Sequence, residues 1–175
     1  MDIFGAEALS NGMVSQPSLD SAKQLLASAR QRGLRVATAE SCTGGLIAAS
    51  LAAVPGASVS LERGFVTYSN EAKVEMLGVP AELIQRRGAV SQEVALAMAD
   101  GALKHSPADI VVAVTGIAGP DGGTWDKPVG LVHIAAARRG GARLHEEKRY
   151  GDIGRTEIQA QTVADALDLM KQLLD

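Results

Sequence analysis

Cysteine is nearly missing from the 175-residue chain. The lone thiol, Cys42, can form neither an internal disulfide nor a cysteine-based zinc site, which fits a reducing compartment. Aromatics are almost as scarce. Only Phe4, Phe65, Tyr68, Trp125 and Tyr150 carry rings of that kind, too few for the stacking platforms of single-stranded nucleic-acid binders. Basic charge is not in excess either: 17 Lys and Arg stand against 20 Asp and Glu, a net charge of -3. The footprint that binds a phosphate backbone is absent, so no direct nucleic-acid partner is expected. No long apolar run exists. The longest aliphatic stretch, 46–54, contains Ser50 and ends at Pro55-Gly56, well short of the ~20 residues a spanning helix needs, so no membrane partner is expected. Asp2 and Glu7 stand where a secretory signal would be positive, and the cytoplasm is the expected location.

What is present is a globular composition: 46% hydrophobic and 21% charged residues exclude disorder over most of the length. The length suits one domain of ordinary size. Residues 1–17 show no sustained period and end in Ser15-Gln16-Pro17-Ser18, so they read as an N-terminal tail or a short, weakly held helix ahead of a domain over 18–175. From Ser18 a helix is signalled by Ala22, Leu25, Leu26 and Ala29 on one face, stopping at Gly33. Strands come next at 35–39, 61–67, 109–115, 129–137 and 143–150. Helices lie after Gly45, over 71–77 behind Ser69-Asn70, from Pro80 to Arg87, from Ser91, and from about Thr156. The last two strands are joined by Arg139-Gly140-Gly141-Ala142, short enough for an antiparallel hairpin. The expected fold is a three-layer α/β/α sandwich around a mixed, mainly parallel sheet.

Open α/β sheets place ligand sites at strand ends, which directs attention to the two glycine-bearing turns, 40–45 and 115–123. The first puts Ser41, Cys42 and Thr43 at a helix N-terminus, where free N–H groups and the dipole favour an oxyanion or phosphate. Ser41 or Thr43 as a simple helix cap is the alternative. Lys73 breaks a local rule: with Asn70 as cap it sits in a helical first turn, which disfavours positive charge, and Glu71 and Glu75 lie on other faces. A desolvated lysine can act as general base to a serine hydroxyl, whereas an exposed one simply bends to water. Tyr68, just before, could relay a proton or fix the lysine, or anchor a strand end. Cys42 is a rival nucleophile, though a thiol usually needs a histidine. His105, His133 and His145 have no metal-ligand spacing and read as structural or solvent-facing, and no metal site is expected. The loop 116–123 offers N–H groups for phosphate and Asp121 for ribose hydroxyls, but is neither a Walker motif nor a dinucleotide fingerprint.

Four segments together resemble the CinA C-terminal domain family, which includes nicotinamide-nucleotide amidohydrolases. They are Thr38-Ala39-Glu40-Ser41-Cys42-Thr43-Gly44-Gly45; Arg63-Gly64-Phe65-Val66-Thr67-Tyr68-Ser69-Asn70-Glu71-Ala72-Lys73; Gly88-Ala89-Val90-Ser91; and Thr115-Gly116-Ile117-Ala118-Gly119-Pro120-Asp121-Gly122-Gly123 with Lys127-Pro128-Val129-Gly130. The likeness runs from about Ser18 to the C-terminus. It implies hydrolysis of nicotinamide mononucleotide to nicotinate mononucleotide and ammonia, with no cofactor. Ser41 would attack, Lys73 would move the proton, Tyr68 would assist, and N–H groups around Thr43, Gly44 and Gly45 would hold the oxyanion. Glu40, Asn70, Thr115, Gly116, Gly119 and Asp121 complete the expected substrate-binding set. A family arginine just after Gly-Asp has only Arg155 as its counterpart here, since the chain reads Gly151-Asp152-Ile153-Gly154-Arg155. Longer members carry an N-terminal molybdopterin-binding-like domain for which this chain has no room. A small-molecule nucleotide is the expected partner and a homo-oligomer the expected assembly. The alternatives are a non-catalytic nucleotide-binding or partner module, or an amidase for another small carboxamide.

Overall fold

The computed structural model describes residues 14–174, so most of the expected 1–17 tail lies outside the described residues. The first helix, α1 (Gln16–Gln31), starts earlier than the sequence signals indicate. Ser15 is its cap, its Oγ accepting from Ser18 N–H at 3.3 Å, and Pro17 falls in the first turn, where its missing N–H costs nothing. The proline that reads as the end of a tail is therefore a helix opener. Next come β1 (Val36–Glu40), α2 (Leu46–Ala52), a short 3-10 turn (Ala57–Val59), β2 (Leu61–Val66), α3 (Asn70–Leu77), α4 (Ala81–Arg87) and α5 (Gln92–Lys104). The chain continues with β3 (Ile110–Gly116), β4 (Leu131–Arg138), β5 (Arg143–Arg149) and α6 (Arg155–Lys171).

The five strands form one sheet in the order β2-β1-β3-β4-β5. β1 pairs in parallel with β2 and β3, while β4 runs antiparallel to both β3 and β5. Four strands thus point one way, and the hairpin closes one edge. Alternation along the central strands feeds two cores. Val36, Val112, Val114, Val132 and Ile134 meet residues of α1, α2 and α6, including Leu25, Leu51 and Leu167. Ala37, Ala39, Val111, Ala113 and Ala135 meet residues of α3, α4 and α5, including Leu77, Ile84 and Met98. Each fully buried aliphatic side chain contributes about 1.5–3 kcal/mol of transfer free energy, so the layers are held by many such terms. Within this layer α5 packs close against α3: a Cβ at Gly101 would stand 2.0 Å from the carbonyl oxygen of Leu77.

Among the described residues no helix is long and apolar enough to cross a membrane.

Candidate active site

The three mutually parallel strands end at one side of the sheet, and the site is assembled from the segments that leave their C-terminal ends. Ser41 N–H donates to the carbonyl of Val114 at 3.1 Å, and Thr67 N–H donates to that of Glu40 at 2.8 Å. Sheet bonding thus continues past the strand ends and fixes Ser41 and Thr67 as firmly as strand residues. Ser41 is 9% exposed, buried but reachable.

Gly45, at φ 104°, turns the chain into α2 and supplies no side-chain cap. Glu40 provides one from below. Its carboxylate is fully buried and accepts from Thr43 Oγ1 at 2.6 Å and from the N–H groups of Gly45, Ile47 and Ala48 at 3.1, 3.0 and 2.8 Å. A charge at this helix start is matched by orphan amide donors and the dipole. Glu40 and Thr43 are therefore spent on each other and on α2, and neither is brought to the cavity expected for substrate. Two of the N–H groups expected to hold an oxyanion are also engaged, Gly44 with the carbonyl of Ser41 at 3.0 Å and Gly45 with Glu40. The amides of Cys42 and Thr43 have no carbonyl or carboxylate partner among the described residues. Cys42 lines the cavity, and its N–H is next in chain to Ser41.

Lys73 carries the unusual chemistry. Ser69, rather than Asn70, caps α3, its Oγ accepting from Ala72 N–H at 3.0 Å. Lys73 lies one position deeper than the sequence pattern places it, with its side chain running back toward the helix start, as Cα–Cβ bonds in helices do. It is 1% exposed. Nζ lies 3.0 Å from Ser41 Oγ and 2.8 Å from the carbonyl of Thr67, with the carbonyls of Tyr68 and Ser69 at 3.5 Å. Among the described residues no carboxylate pairs with it. Burial pushes its pKa down from the ordinary lysine value. At these distances a neutral amine has hydrogens for the carbonyls and a lone pair within reach of the Ser41 hydroxyl.

A cavity of about 270 Å³ opens onto this pair. Of the expected residues, Ser41, Lys73, Tyr68, Asn70, Thr115, Gly116, Gly119, Asp121 and Arg155 line it, whereas Glu40, Thr43, Gly44 and Gly45 do not. Thr115 is buried and donates its hydroxyl to the carbonyl of Ala89 at 2.9 Å, tying β3 to the segment before α5. Gly116 has no room for a side chain, since a Cβ would meet Val132 Cγ2 at 2.6 Å. Tyr68 is 58% exposed, and its phenol oxygen accepts from Arg155 Nη2 at 2.7 Å, so its link to Lys73 runs through the main-chain carbonyl and not the hydroxyl. Arg155 also donates from Nη1 to the carbonyl of Gly119 at 2.8 Å. It opens α6 and stands exposed at the mouth, without a carboxylate partner among the described residues. The inserted residues after Asp152 thus do not remove the arginine from the site.

Cys42 is buried, and desolvation pushes its thiol up to about 12, so it is an inert wall and not a nucleophile. His133 and His145 stack with centroids 5.2 Å apart and Nδ1 to Nε2 at 3.0 Å, outside the cavity. Among the described residues no cluster of His, Cys, Asp and Glu is arranged to hold a metal ion.

Sequence reasoning assigned no role to several residues that shape the site. Ala89 and Val90 line it, and Gln159 Nε2 on α6 donates to the carbonyl of Cys42 at 2.9 Å, holding the Ser41 turn from the neighbouring helix of the same layer. The segment around Ala89 was visible as a motif without chemistry. Gln159 left no signal, because a glutamine on an amphipathic helix looks like any other.

Comparison with known proteins places these features in a wider group. The profile of the CinA C-terminal domain matches residues 18–174. A CinA-like protein of Citrifermentans bemidjiense is 51% identical over 83% of this chain and 34% of its own length, and one of Anaeromyxobacter sp. (strain K) is 45% identical over 99% and 41%. Among solved structures, the competence/damage inducible protein CihA of Agrobacterium tumefaciens is 51% identical with a TM-score of 0.92, covering 94% of this chain and 99% of its own. A competence-damaged protein (CinA) superfamily protein of Escherichia coli is 31% identical with a TM-score of 0.83, covering 99% and 98%. The chain spans only 26–41% of the length of the curated relatives it matches here.

Proposed function

We propose an activity for this chain, which belongs to the CinA C-terminal domain family: hydrolysis of the carboxamide of nicotinamide mononucleotide, giving nicotinate mononucleotide and ammonia. The observation that carries the reading is the buried Lys73 amine 3.0 Å from the Ser41 hydroxyl, with no carboxylate among the described residues to hold it charged. The pyridine nucleotide comes from the family resemblance. The cavity supports it with the Arg155 guanidinium at the mouth, which has no carboxylate partner among the described residues, for a phosphate, and Asp121 for ribose hydroxyls.

In this reading Ser41 Oγ attacks the amide carbon as its proton passes to Lys73 Nζ. The Cys42 N–H donates to the developing oxyanion. Lys73 then protonates the departing nitrogen, ammonia leaves, and a Ser41 ester remains. Water attacks that ester while Lys73 takes its proton, and the returning proton restores the serine hydroxyl. No metal or organic cofactor enters these steps. The setting is a cytoplasmic homo-oligomer, which light scattering tests directly.

Purified protein should release ammonia from nicotinamide mononucleotide in the presence of a chelator. Ser41→Ala and Lys73→Ala should each abolish release, by at least about a thousandfold, while keeping a cooperative thermal transition. Nucleotide binding without ammonia from the wild type would sink the hydrolase and leave a binding module.

A further inference from the structure

Trp125 is the chain's one tryptophan, and it is 97% exposed. It does not hang on a slack loop. Thr124 N–H donates to the carbonyl of Lys127 at 2.8 Å, and Lys127 N–H returns a bond to Thr124 Oγ1 at 3.1 Å, closing a tight turn with Trp125 at its tip. The turn is nailed down by Lys127, whose Nζ donates to the carbonyls of Arg87 and Val90 at 2.6 and 2.7 Å. Val90 is itself a wall of the catalytic cavity. Because the turn is pinned, binding to the ring would not have to order the backbone that carries it.

Beside the ring lies an open pocket of about 460 Å³, walled by Pro120, Pro128, Val129 and the indole. It shares the lining residues Asp121 and Gly122 with the catalytic cavity, so the two spaces adjoin. Arg155 is anchored on the carbonyl of Gly119, immediately before Pro120, and so stands where one space gives way to the other. The order along the surface is therefore amide chemistry at Ser41, a cation at the junction, and then an apolar wall with an unstacked ring.

We propose that the Trp125 pocket is a second subsite of the same ligand site, taking a planar base joined to the first nucleotide through its phosphate, as in a pyridine dinucleotide. The inference rests on the pyridine-nucleotide reading of the cavity. The nicotinamide end faces Ser41, the phosphate bridge meets Arg155, and the distal base stacks on Trp125. Asp121 faces ribose hydroxyls, since its charge would repel a phosphate. A mononucleotide stops at Arg155 and leaves the second pocket empty.

Calorimetry on the turnover-deficient Ser41→Ala protein separates the two claims. A pyridine dinucleotide and nicotinamide mononucleotide are titrated into it with Trp125 intact and with Trp125→Ala or Trp125→Phe. Loss of one base–aromatic stack lowers the dinucleotide-to-mononucleotide affinity ratio by about ten- to a hundredfold in Trp125→Ala, and Trp125→Phe restores most of it. An unchanged ratio, or a dinucleotide that does not bind the Trp125 protein, overturns the subsite. Ammonia release from the mononucleotide by the wild type decides the hydrolase reading independently of either result. With its side chain in solvent, Trp125 can be truncated without opening the core, and a melting curve checks this.

Discussion

At the residue scale the decisive quantity is the charge on Lys73. Burial favours its neutral form, and only the neutral form can accept the Ser41 proton. The rate from saturating mononucleotide should therefore fall as pH drops through the depressed lysine pKa, and a rate flat from acid to neutral pH would remove lysine as the base. Cys42 touches the same cavity and is the tempting nucleophile from sequence. Its thiol, pushed up to about 12, carries almost no thiolate at neutral pH. Cys42→Ala should keep ammonia release within about threefold of wild type, and iodoacetamide should label the native protein far more slowly than the denatured one. Arg155 is exposed and already spans Gly119 and Tyr68, and in the proposed reading it meets the phosphate from that fixed position. Truncation to Ala should raise KM for the mononucleotide by about tenfold or more, the size of one charge-assisted contact, with a smaller effect on kcat.

At the element scale the site depends on how α2 starts. The glycines at positions 44 and 45 let the chain turn sharply after β1, with positive φ at both, but they leave the helix without a side-chain cap of its own. Glu40 supplies it through four hydrogen bonds, three of them to main-chain amides. Glu40→Gln keeps the shape but turns an NH2 toward donors, stranding at least one buried amide. The cost should be about 2–3 kcal/mol in denaturant unfolding, with Ser41 displaced and activity lost. The sequence displayed this motif plainly yet hid its job. Glu40 and Thr43 sit beside the nucleophile, and proximity in sequence favours reading them as substrate contacts. Only the three-dimensional return of α2 over the strand end shows that their groups are consumed locally. The strands, by contrast, were legible within two residues: the buried β3 and β4 show as apolar runs, and the polar β5 shows through the short Arg139-Gly140-Gly141-Ala142 connection that makes it a hairpin with β4. Lys73 was legible as a violated rule even though its cap was misplaced by one residue, since either register leaves it without a helical ion-pair partner.

At the scale of the whole molecule, the buried bases and acids together shape stability against pH. His133 and His145 are both held below the ordinary histidine value, first by burial, with His145 a further lowering influence on His133. Glu147, Glu93 and, for His145, Glu146 pull the other way, and Lys127 adds to the depression at His133. A base whose folded pKa is depressed binds fewer protons folded than unfolded, so folding loses free energy as pH falls below the unfolded value of 6.5. Lys73 follows the same sign from 10.5 downward. Glu62 and Glu147, lowered chiefly by Arg63 and Arg149, contribute stability that is present above 4.5 and lost only at lower pH. On the alkaline side the raised acids act in reverse. The unfolded Cys42 thiol ionises from 9.0 while the folded one waits until about 12, so stability is lost as pH climbs past 9.0, with Tyr150 adding its share above 10.0. The melting temperature should therefore peak near about pH 9, decline below it as Lys73 disfavours the folded state, and enter a steeper acid limb near the histidine value, before the carboxylates titrate. Replacing both His133 and His145 by Leu should delay that limb to the carboxylate range, and Cys42→Ala should shift the onset of the alkaline loss from 9.0 toward 10.0. Should the acid limb start at the same pH with both histidines gone, the stacked pair at the hairpin edge would not be its source.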